Sequence, residues 1–486
     1  MGSIAAAINK LGQDAVALVL LMLQELEHRG ADTIQIATPT STATAKSIQE
    51  LKNKQLLSNI AVGNSLSHYF PEESQPVILK KDYALAFEGH LFPPSETSDT
   101  DAVACMLESE PQRNAEHVIR KFDGAYTFAI VLPNKIIGGR DLLGASPLYI
   151  GENETICALA SERKALWKLG IKHIKSFPPG NLATITRKGF TFKTVATLPQ
   201  PIQKRIGIER AARRLHDLLL KSTIERVSDI EKIAIAFSGG LDSSIIAVLA
   251  KNCTKNVNLI TVGLEGQPEL RHSEMAAKAL ALPLLIKTYT IADVENALKK
   301  VLWLIEEPDP MKVGVAIPLF WAAQIASEIG CHVLLAGQGA DELLGGYHKY
   351  LNQYSSGGEE AAQKAMFHDL AMSYETNFQR DTAVCAFHKV ELRLPFIDRQ
   401  VVRFALSLTL DLKITSPEDN LRKHVLRRVA QNLTLPTFIS EKTKKAVQYT
   451  TGVDKALRKL AQRKGLTQKD YVKQVFEEIY PARVKE

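Results

Sequence analysis

A chain of 486 residues with 45% apolar and 23% charged residues is long enough for two or three domains, each burying its own core. That composition excludes a disordered or collagen-like chain, and five dispersed cysteines without a Cys-x-x-Cys pair exclude a disulfide framework and a thiolate zinc site. The net charge of +7 is unevenly placed: the last 46 residues hold 12 Lys/Arg against 6 Asp/Glu, which suits a solvated helix face and also permits contact with nucleic acid. In chain order, residues 1–195 show an amphipathic helix near 13–28, another over 101–121, and many short β-like runs (TIQIAT, NIAVG, YALAFEG, AYTFAIV, KIIGG, ICALA, LATIT) between turn residues. Stacked sheets flanked by helices follow from that pattern. The apolar run Ala15 to Leu23 is too short to span a bilayer, and Ala6 breaks the myristoylation pattern after Gly2. We therefore expect no membrane attachment, a cytoplasmic location, and buried, reduced thiols at Cys105, Cys157, Cys253, Cys331 and Cys385.

Residues 196–207, with Pro199 and Pro201 and no clear periodicity, read as a linker. From 208 to 486 the pattern alternates: helix 208–226, strand 232–237, helix 242–252, strand 257–263, helices 272–281, 294–306 and 317–329, and strand 332–336. Such alternation predicts a parallel α/β domain, and the chain from about 343 onward is predominantly helical.

Residues 233–244, IAIAFSGGLDSS, narrow the function furthest. The run Ile233 to Phe237 suits a strand buried on both faces; Ser238, Gly239 and Gly240 force a tight turn; Asp242, Ser243 and Ser244 open a helix. A glycine turn between a buried strand and a helix N-terminus aims backbone N–H groups at one point, serine hydroxyls add donors, and Asp242 can hold a divalent metal. This chemistry suits a polyphosphate with its magnesium. A Walker phosphate loop is absent. A second strand-to-glycine turn, LLAGQGADELLGGYHKY (334–350), can face the first across the ends of a parallel sheet, so that Asp242 and Asp341 share one Mg²⁺.

Three later segments, VELRLPFIDRQVVRFAL (390–406), NLRKHVLRRVA (420–430) and ISEKTKKAVQYTTG (439–452), would each pass alone as helix-surface charge. Taken in order with SGGLDSS, VGLEG and GADE, they resemble the synthetase domain of glutamine-dependent asparagine synthetases. N-terminally, HRGAD (28–32), SDTD (98–101), FDGAYTFAI (122–130), GRDLLGASPLYIG (139–151), ASERKAL (160–166) and FPPG (177–180) are similar to the amidotransferase domain of that family.

The resemblance implies an α/β protein of two domains: an Ntn-hydrolase-like αββα sandwich over 1–195, and a pyrophosphate-loop, adenine nucleotide α-hydrolase-like parallel α/β domain with a helical extension over 208–486. It implies ATP and Mg²⁺ as cofactors, a small-molecule carboxylate and ammonia as substrates, and a homodimer. By resemblance, Ser238, Gly239, Gly240, Asp242, Ser243 and Ser244 hold pyrophosphate, Asp242 and Asp341 hold Mg²⁺, and Val262 and Gly337 meet adenine through backbone groups. Lys444 would neutralise the α-phosphate in the transition state.

Four departures stand against that pattern. Gly2 occupies the place of the family's nucleophilic cysteine. Leu66 stands where the family's arginine clamps the glutamine carboxylate, and Glu88-Gly89 replaces the Asn-Gly oxyanion pair, while Asp99 remains in SDTD. A carboxylate where an oxyanion forms opposes the reaction, so the expectation is an inactive glutaminase and ammonia from solution or from a separate glutaminase. Gln338 replaces the glutamate of the family's Gly-Glu-Gly, losing charge and basicity, which points to a different carboxylate or a different nucleophile. The expected activity is thus an ATP-dependent, AMP- and pyrophosphate-forming carbon–nitrogen ligase. The alternatives are amidation of a carboxylate on a larger molecule such as a tRNA nucleoside, intramolecular amide closure as in β-lactam synthetases, and a non-enzymatic scaffold.

Overall fold

The computed structural model describes residues 2–30, 32–67, 77–95, 97–200, 203, 205–228, 230–254, 256–443 and 446–481. The chain divides into two compact units, Met1–Leu198 and Pro199–Glu486.

Thirteen strands among the described residues build the first unit: β1 (Gly2–Asn9), β2 (Thr33–Ala37), β3 (Thr42–Ala45), β4 (Ile60–Leu66), β5 (Val77–Leu79), β6 (Ala84–Phe92), β7 (Asp123–Leu132), β8 (Lys135–Arg140), β9 (Tyr149–Glu152), β10 (Ile156–Ala160), β11 (Ile174–Ser176), β12 (Asn181–Thr186) and β13 (Gly189–Thr194). They form two antiparallel sheets, ordered β11-β9-β10-β1-β4-β2-β3 and β13-β12-β8-β7-β6-β5. The period of two along each strand sorts side chains between layers. On β1, Ile4, Ala6 and Ile8 face the core between the sheets, whereas Ala5 and Ala7 pack under helix Val16–Leu26. On β7, Ala129 and Val131 face inward, and Tyr126, Phe128 and Ile130 meet Val103, Leu107, Val118 and Ile119 of the outer helices. The result is an αββα sandwich. The helix expected over 101–121 is two helices, Asp99–Leu107 and Pro111–Lys121. Ser109 at φ +68 breaks the run, and Pro111, which has no N–H to donate, starts the second helix at its first position.

The second unit holds a five-stranded sheet in the order β16-β15-β14-β17-β18, from β14 (Lys232–Ala236), β15 (Asn256–Leu264), β16 (Leu284–Tyr289), β17 (Val333–Leu335) and β18 (Glu391–Arg393). All four pairings are parallel. Helices Ile291–Ile305, Pro310–Glu328 and Val453–Arg463 share one large apolar cluster with this sheet. Strands β16 and β18 escaped the sequence reading because they are sheet edges: β16 exposes Leu285 and Ile286, and β18 is three residues long with charged ends. Helix Pro310–Glu328 begins seven residues ahead of expectation. Pro310 sits at its first turn, and Asp309 caps it by accepting from the Met311 and Lys312 amides. The thiols also differ from expectation: all five are free, but Cys105 is exposed and Cys253 half-buried. No helix among the described residues is long and apolar enough to cross a membrane.

His388 lies against Phe320 and Phe387, with ring centroids 4.3 and 5.1 Å away. Burial pushes its imidazole down to about 4 from 6.5. The folded form therefore holds His388 neutral, while the unfolded chain takes up a proton as pH falls through 6.5. This stabilisation is complete above about pH 6.5 and drains away toward pH 4, by on the order of 3 kcal/mol. Urea-unfolding free energies of H388Q, measured across this interval, should fall less steeply with acidification than those of the unsubstituted protein.

Candidate functional site

Strands β14 and β17 are hydrogen-bonded neighbours, with Ala234 opposite Leu334 and Ile235 opposite Leu335. The sheet order reverses between them: β15 and β16 lie on one side of β14, while β17 and β18 lie on the other. Two loops leaving parallel strands at such a reversal part to opposite faces and leave a crevice at the carboxyl ends. Here they are Phe237–Gly240, leading into helix Leu241–Lys251, and Ala336–Gly339, leading into helix Ala340–Leu344. Gly239 turns at φ +64, and His272 donates from Nε2 to its carbonyl at 2.9 Å, holding the peptide plane from behind. The loops touch closely, since a Cβ on Gly337 would stand 3.0 Å from Asp242 Cβ.

Lys423 completes the site. Its Nζ lies 2.8 Å from both carboxylate oxygens of Asp242 and 2.6 Å from Asp341 Oδ1, and its side chain is 3% exposed. The two acids expected to share a cation thus converge on one point. Gly346 makes room for this contact: a Cβ there would meet Asp341 Oδ1 at 1.8 Å and Lys423 Cε at 2.4 Å. Lys423 arrives on a strained turn in which both Arg422 (φ +52) and Lys423 (φ +58) adopt the left-handed region. Asp419 accepts from the Leu421 and Arg422 amides at 3.0 Å each and pairs with His424 at 2.6 Å, and Arg422 Nε donates to the Gly346 carbonyl at 3.1 Å. Burial works against the Asp419 charge, but the Arg422 and Thr415 amides and His424 outweigh it and hold the carboxyl at about 2. Ser238, Gly240, Asp242, Glu269, Lys423, Arg427, Lys442 and Thr443 line the resulting cleft.

Among the serines, Ser243 Oγ stays within the loop, 3.3 Å from Ser238 Oγ. The Ser244 hydroxyl is fully buried and has no hydrogen-bond partner among the described residues. Val262 lies near the end of β15 with its side chain in the core. Lys444 lies outside the described residues.

In the first unit, the positions singled out around the amino-terminal strand are filled by buried charge. Gly2 pairs with Leu66, and a Cβ on Gly2 would meet the Ser65 carbonyl oxygen at 2.2 Å. Glu88 accepts from Arg29 at 2.6 Å and from Ser161 Oγ at 2.5 Å. Arg29 also reaches the Gly2 carbonyl at 3.1 Å and Glu162 at 3.2 Å, and Glu162 further pairs with His28 and Lys164. Burial opposes the charge on Glu162, yet its contacts with His28, Lys164 and Arg29 hold its carboxyl well below the usual range, while burial lowers the imidazole of His28 itself. Gly89 follows Glu88 at φ +114 with no space for a side chain, its Cβ direction ending 2.0 Å from the Ala125 carbonyl oxygen. Asp99 caps backbone rather than reaching this cluster, accepting from the Leu91 amide at 3.1 Å beside His90.

The family profile described as Asparagine synthase matches residues 214–359 and 351–484, and the Glutamine amidotransferase domain profile matches 79–168. The chain belongs to the asparagine synthase family. A Methanocaldococcus jannaschii protein named "Putative asparagine synthetase (glutamine-hydrolyzing) 1" is 29% identical over 96% of this chain and 97% of its own length. The glutamine-hydrolysing asparagine synthetase of Sandersonia aurantiaca is 26% identical over 75% of this chain and 70% of its own. Among solved structures, a glutamine phosphoribosylpyrophosphate amidotransferase from B. subtilis shares 18% identity at a TM-score of 0.36, covering 58% of this chain and 65% of that one. As an asparagine synthase family member, the chain is a carbon–nitrogen ligase of the ATP-dependent amidating type.

Within this family member, Gln338 has a local reason to be an amide. Its Nε2 donates to Asp381 Oδ2 at 3.1 Å, and Asp381, fully buried, also takes the Arg380 Nε at 2.7 Å. A glutamate at 338 would set two carboxylates side by side in a dry setting, and both cannot stay ionised. Neither Asp381 nor Lys423 had been assigned a role from sequence. Lys423 opens the K-x-x-LR pattern (423–427) within NLRKHVLRRVA, whose charges taken alone pass for helix surface; its place in the ordered series of family motifs was the signal. At pH 7 to 8, Q338E should lower the unfolding free energy by about 1–3 kcal/mol, and Q338E/D381N should recover most of it, as read by urea titration.

Proposed function

We propose that this protein adenylates a carboxylate other than aspartate at the Asp242–Asp341 cleft and passes the activated acyl group to free or partner-supplied ammonia. The carboxylate oxygen attacks the α-phosphorus of ATP, the bond to the bridging oxygen breaks, and pyrophosphate leaves. Ammonia then attacks the acyl carbon and AMP departs, its phosphate being a far better leaving group than oxide. The single observation that carries this reading is the convergence of Asp242 and Asp341 on one cation beside the Ser238–Gly240 turn. Both acids are hard oxygen donors suited to magnesium, and Lys423 already marks the point they share. Magnesium held there would screen the charge of the phosphates. Ser238, Gly239, Gly240 and Ser243 would orient the pyrophosphate at a helix N-terminus, and Lys444 would meet the α-phosphate.

The domain assignment follows: a class II glutamine amidotransferase-like domain without glutaminase activity over 1–195, a linker over 196–207, and an ATP pyrophosphatase domain over 208–486. The buried Arg29–Glu88 pair and the blocked Gly2 position support the loss of glutamine hydrolysis. Gln338, committed to Asp381, supports a substrate lacking the α-ammonium of aspartate.

ATP–pyrophosphate exchange across a panel of carboxylic acids, with ammonium present, tests this reading. We expect Mg²⁺-dependent exchange with one acid class and little with aspartate, and D242N should lower it at least ~100-fold. Glutamine should not replace ammonium, and G2C should not restore its hydrolysis. Robust aspartate- and glutamine-dependent asparagine formation would sink the proposal, and silence across the panel would favour a scaffold.

One observation favours a second reading, a carboxylate borne on RNA. Lys455, Lys459 and Arg463 lie at i, i+4 and i+8 on the exposed face of helix Val453–Arg463, with Arg458 alongside. On this reading, tRNA binding weakens steeply with salt and is lost in K455E/K459E/R463E; absence of binding near 0.15 M salt removes it.

A further inference from the structure

The point that Asp242 and Asp341 share is taken by an ammonium of the chain itself. Lys423 Nζ lies 2.6–2.8 Å from three of their carboxylate oxygens. A magnesium ion bound by the same oxygens would sit about 2.1 Å from them, close enough to the ammonium position that only one cation fits. The surroundings keep Lys423 there: the strained Arg422–Lys423 turn aims it, Asp419 pins the turn, and Gly346 leaves no side chain in the way.

We propose that Lys423 is a built-in stand-in for the metal, holding the two carboxylates converged and yielding their shared point only to a divalent cation that arrives with a polyphosphate. This rests on the assignment of Asp242 and Asp341 as metal ligands under Proposed function. A lone divalent ion must expel the ammonium and leave it buried without a partner, a loss that offsets the ion's own gain. A metal carrying polyphosphate supplies anionic oxygens along the wall that Lys423 shares with Ser238 and Gly240, so the displaced ammonium finds a new partner. The lysine thereby couples metal binding to nucleotide binding, and the coupling acts equally in both directions. It also keeps two adjacent carboxylates from repelling one another while the cleft waits.

Mn²⁺ titration of the full-length protein, followed by electron paramagnetic resonance, tests this without turnover. Nucleotide-free unsubstituted protein and K423R should bind Mn²⁺ weakly, while K423M and K423Q bind it at least ~10-fold more tightly; D242N in the K423M background should abolish the gain. Adding α,β-methylene-ATP should tighten Mn²⁺ binding in the unsubstituted protein by more than it does in K423M. Equal nucleotide-free affinities in the unsubstituted protein and in whichever of K423M or K423Q keeps its circular dichroism spectrum would overturn the proposal. So would K423R admitting Mn²⁺ as readily as K423M does. Because the readout is metal affinity, the contrast stands or falls separately from ATP–pyrophosphate exchange.

Discussion

The ammonium of Lys423 between the carboxylates of Asp242 and Asp341 ties together three segments far apart in sequence. Asp242 opens the helix after β14, Asp341 opens the helix after β17, and Lys423 ends a strained turn before helix His424–Asn432. Two carboxylates this near one another, in a half-dry cleft, repel unless a cation sits between them. The remaining geometry serves that need. Parallel pairing of β14 with β17 sets the acids side by side, Gly346 leaves the third position empty, and Asp419 and Arg422 fix the backbone that delivers the lysine.

A similar balance of buried charge, with opposite consequence, governs the amino-terminal strand. Glu88 is tolerable in the interior because Arg29 and Ser161 satisfy it, and Arg29 in turn bridges to Glu162, which His28 and Lys164 surround. Every charge in this chain of contacts has a partner, which is the condition for burying it at all. In the second unit two acids converge on one ammonium, while around Gly2 the buried charges pair with one another.

Much of the fold was legible. The two buried strands with glycine turns, IAIAFSGG and VLLAGQG, announced themselves by apolar runs ending in residues that permit tight turns, and the short alternating runs of the first 195 residues gave the sandwich its layers. In the second unit the edges escaped, since β16 and β18 expose side chains or carry charge; in the first, the interior strands β1 and β9 escaped as well, β1 because its alanine-rich run GSIAAAIN is buried on both faces and shows no alternation. The break at Ser109 and the early start at Pro310 escaped for a related reason, since a proline reads as a terminator until its place in the first turn is known.

The residues of the site divide the same way. Asp242, Asp341 and the glycine turns were visible because each sits beside a strand end in a local pattern that sequence carries whole. Ser244 belonged to that string, and the structure buries it fully. Gln338 was visible only as a departure; its cause, Asp381, lies 43 residues on and meets it across the fold. Lys423, 181 residues from Asp242, stands in a K-x-x-LR pattern that gives no hint of its partners, since a lysine in an arginine-rich helix start looks like surface. Sequence alone determined the strand–turn–acid order at the two glycine loops, because backbone preference and burial periodicity act over a few residues. Tertiary structure alone decided which cation the acids meet and which carboxylate faces Gln338, because Coulomb pairing depends on distance in space and not along the chain.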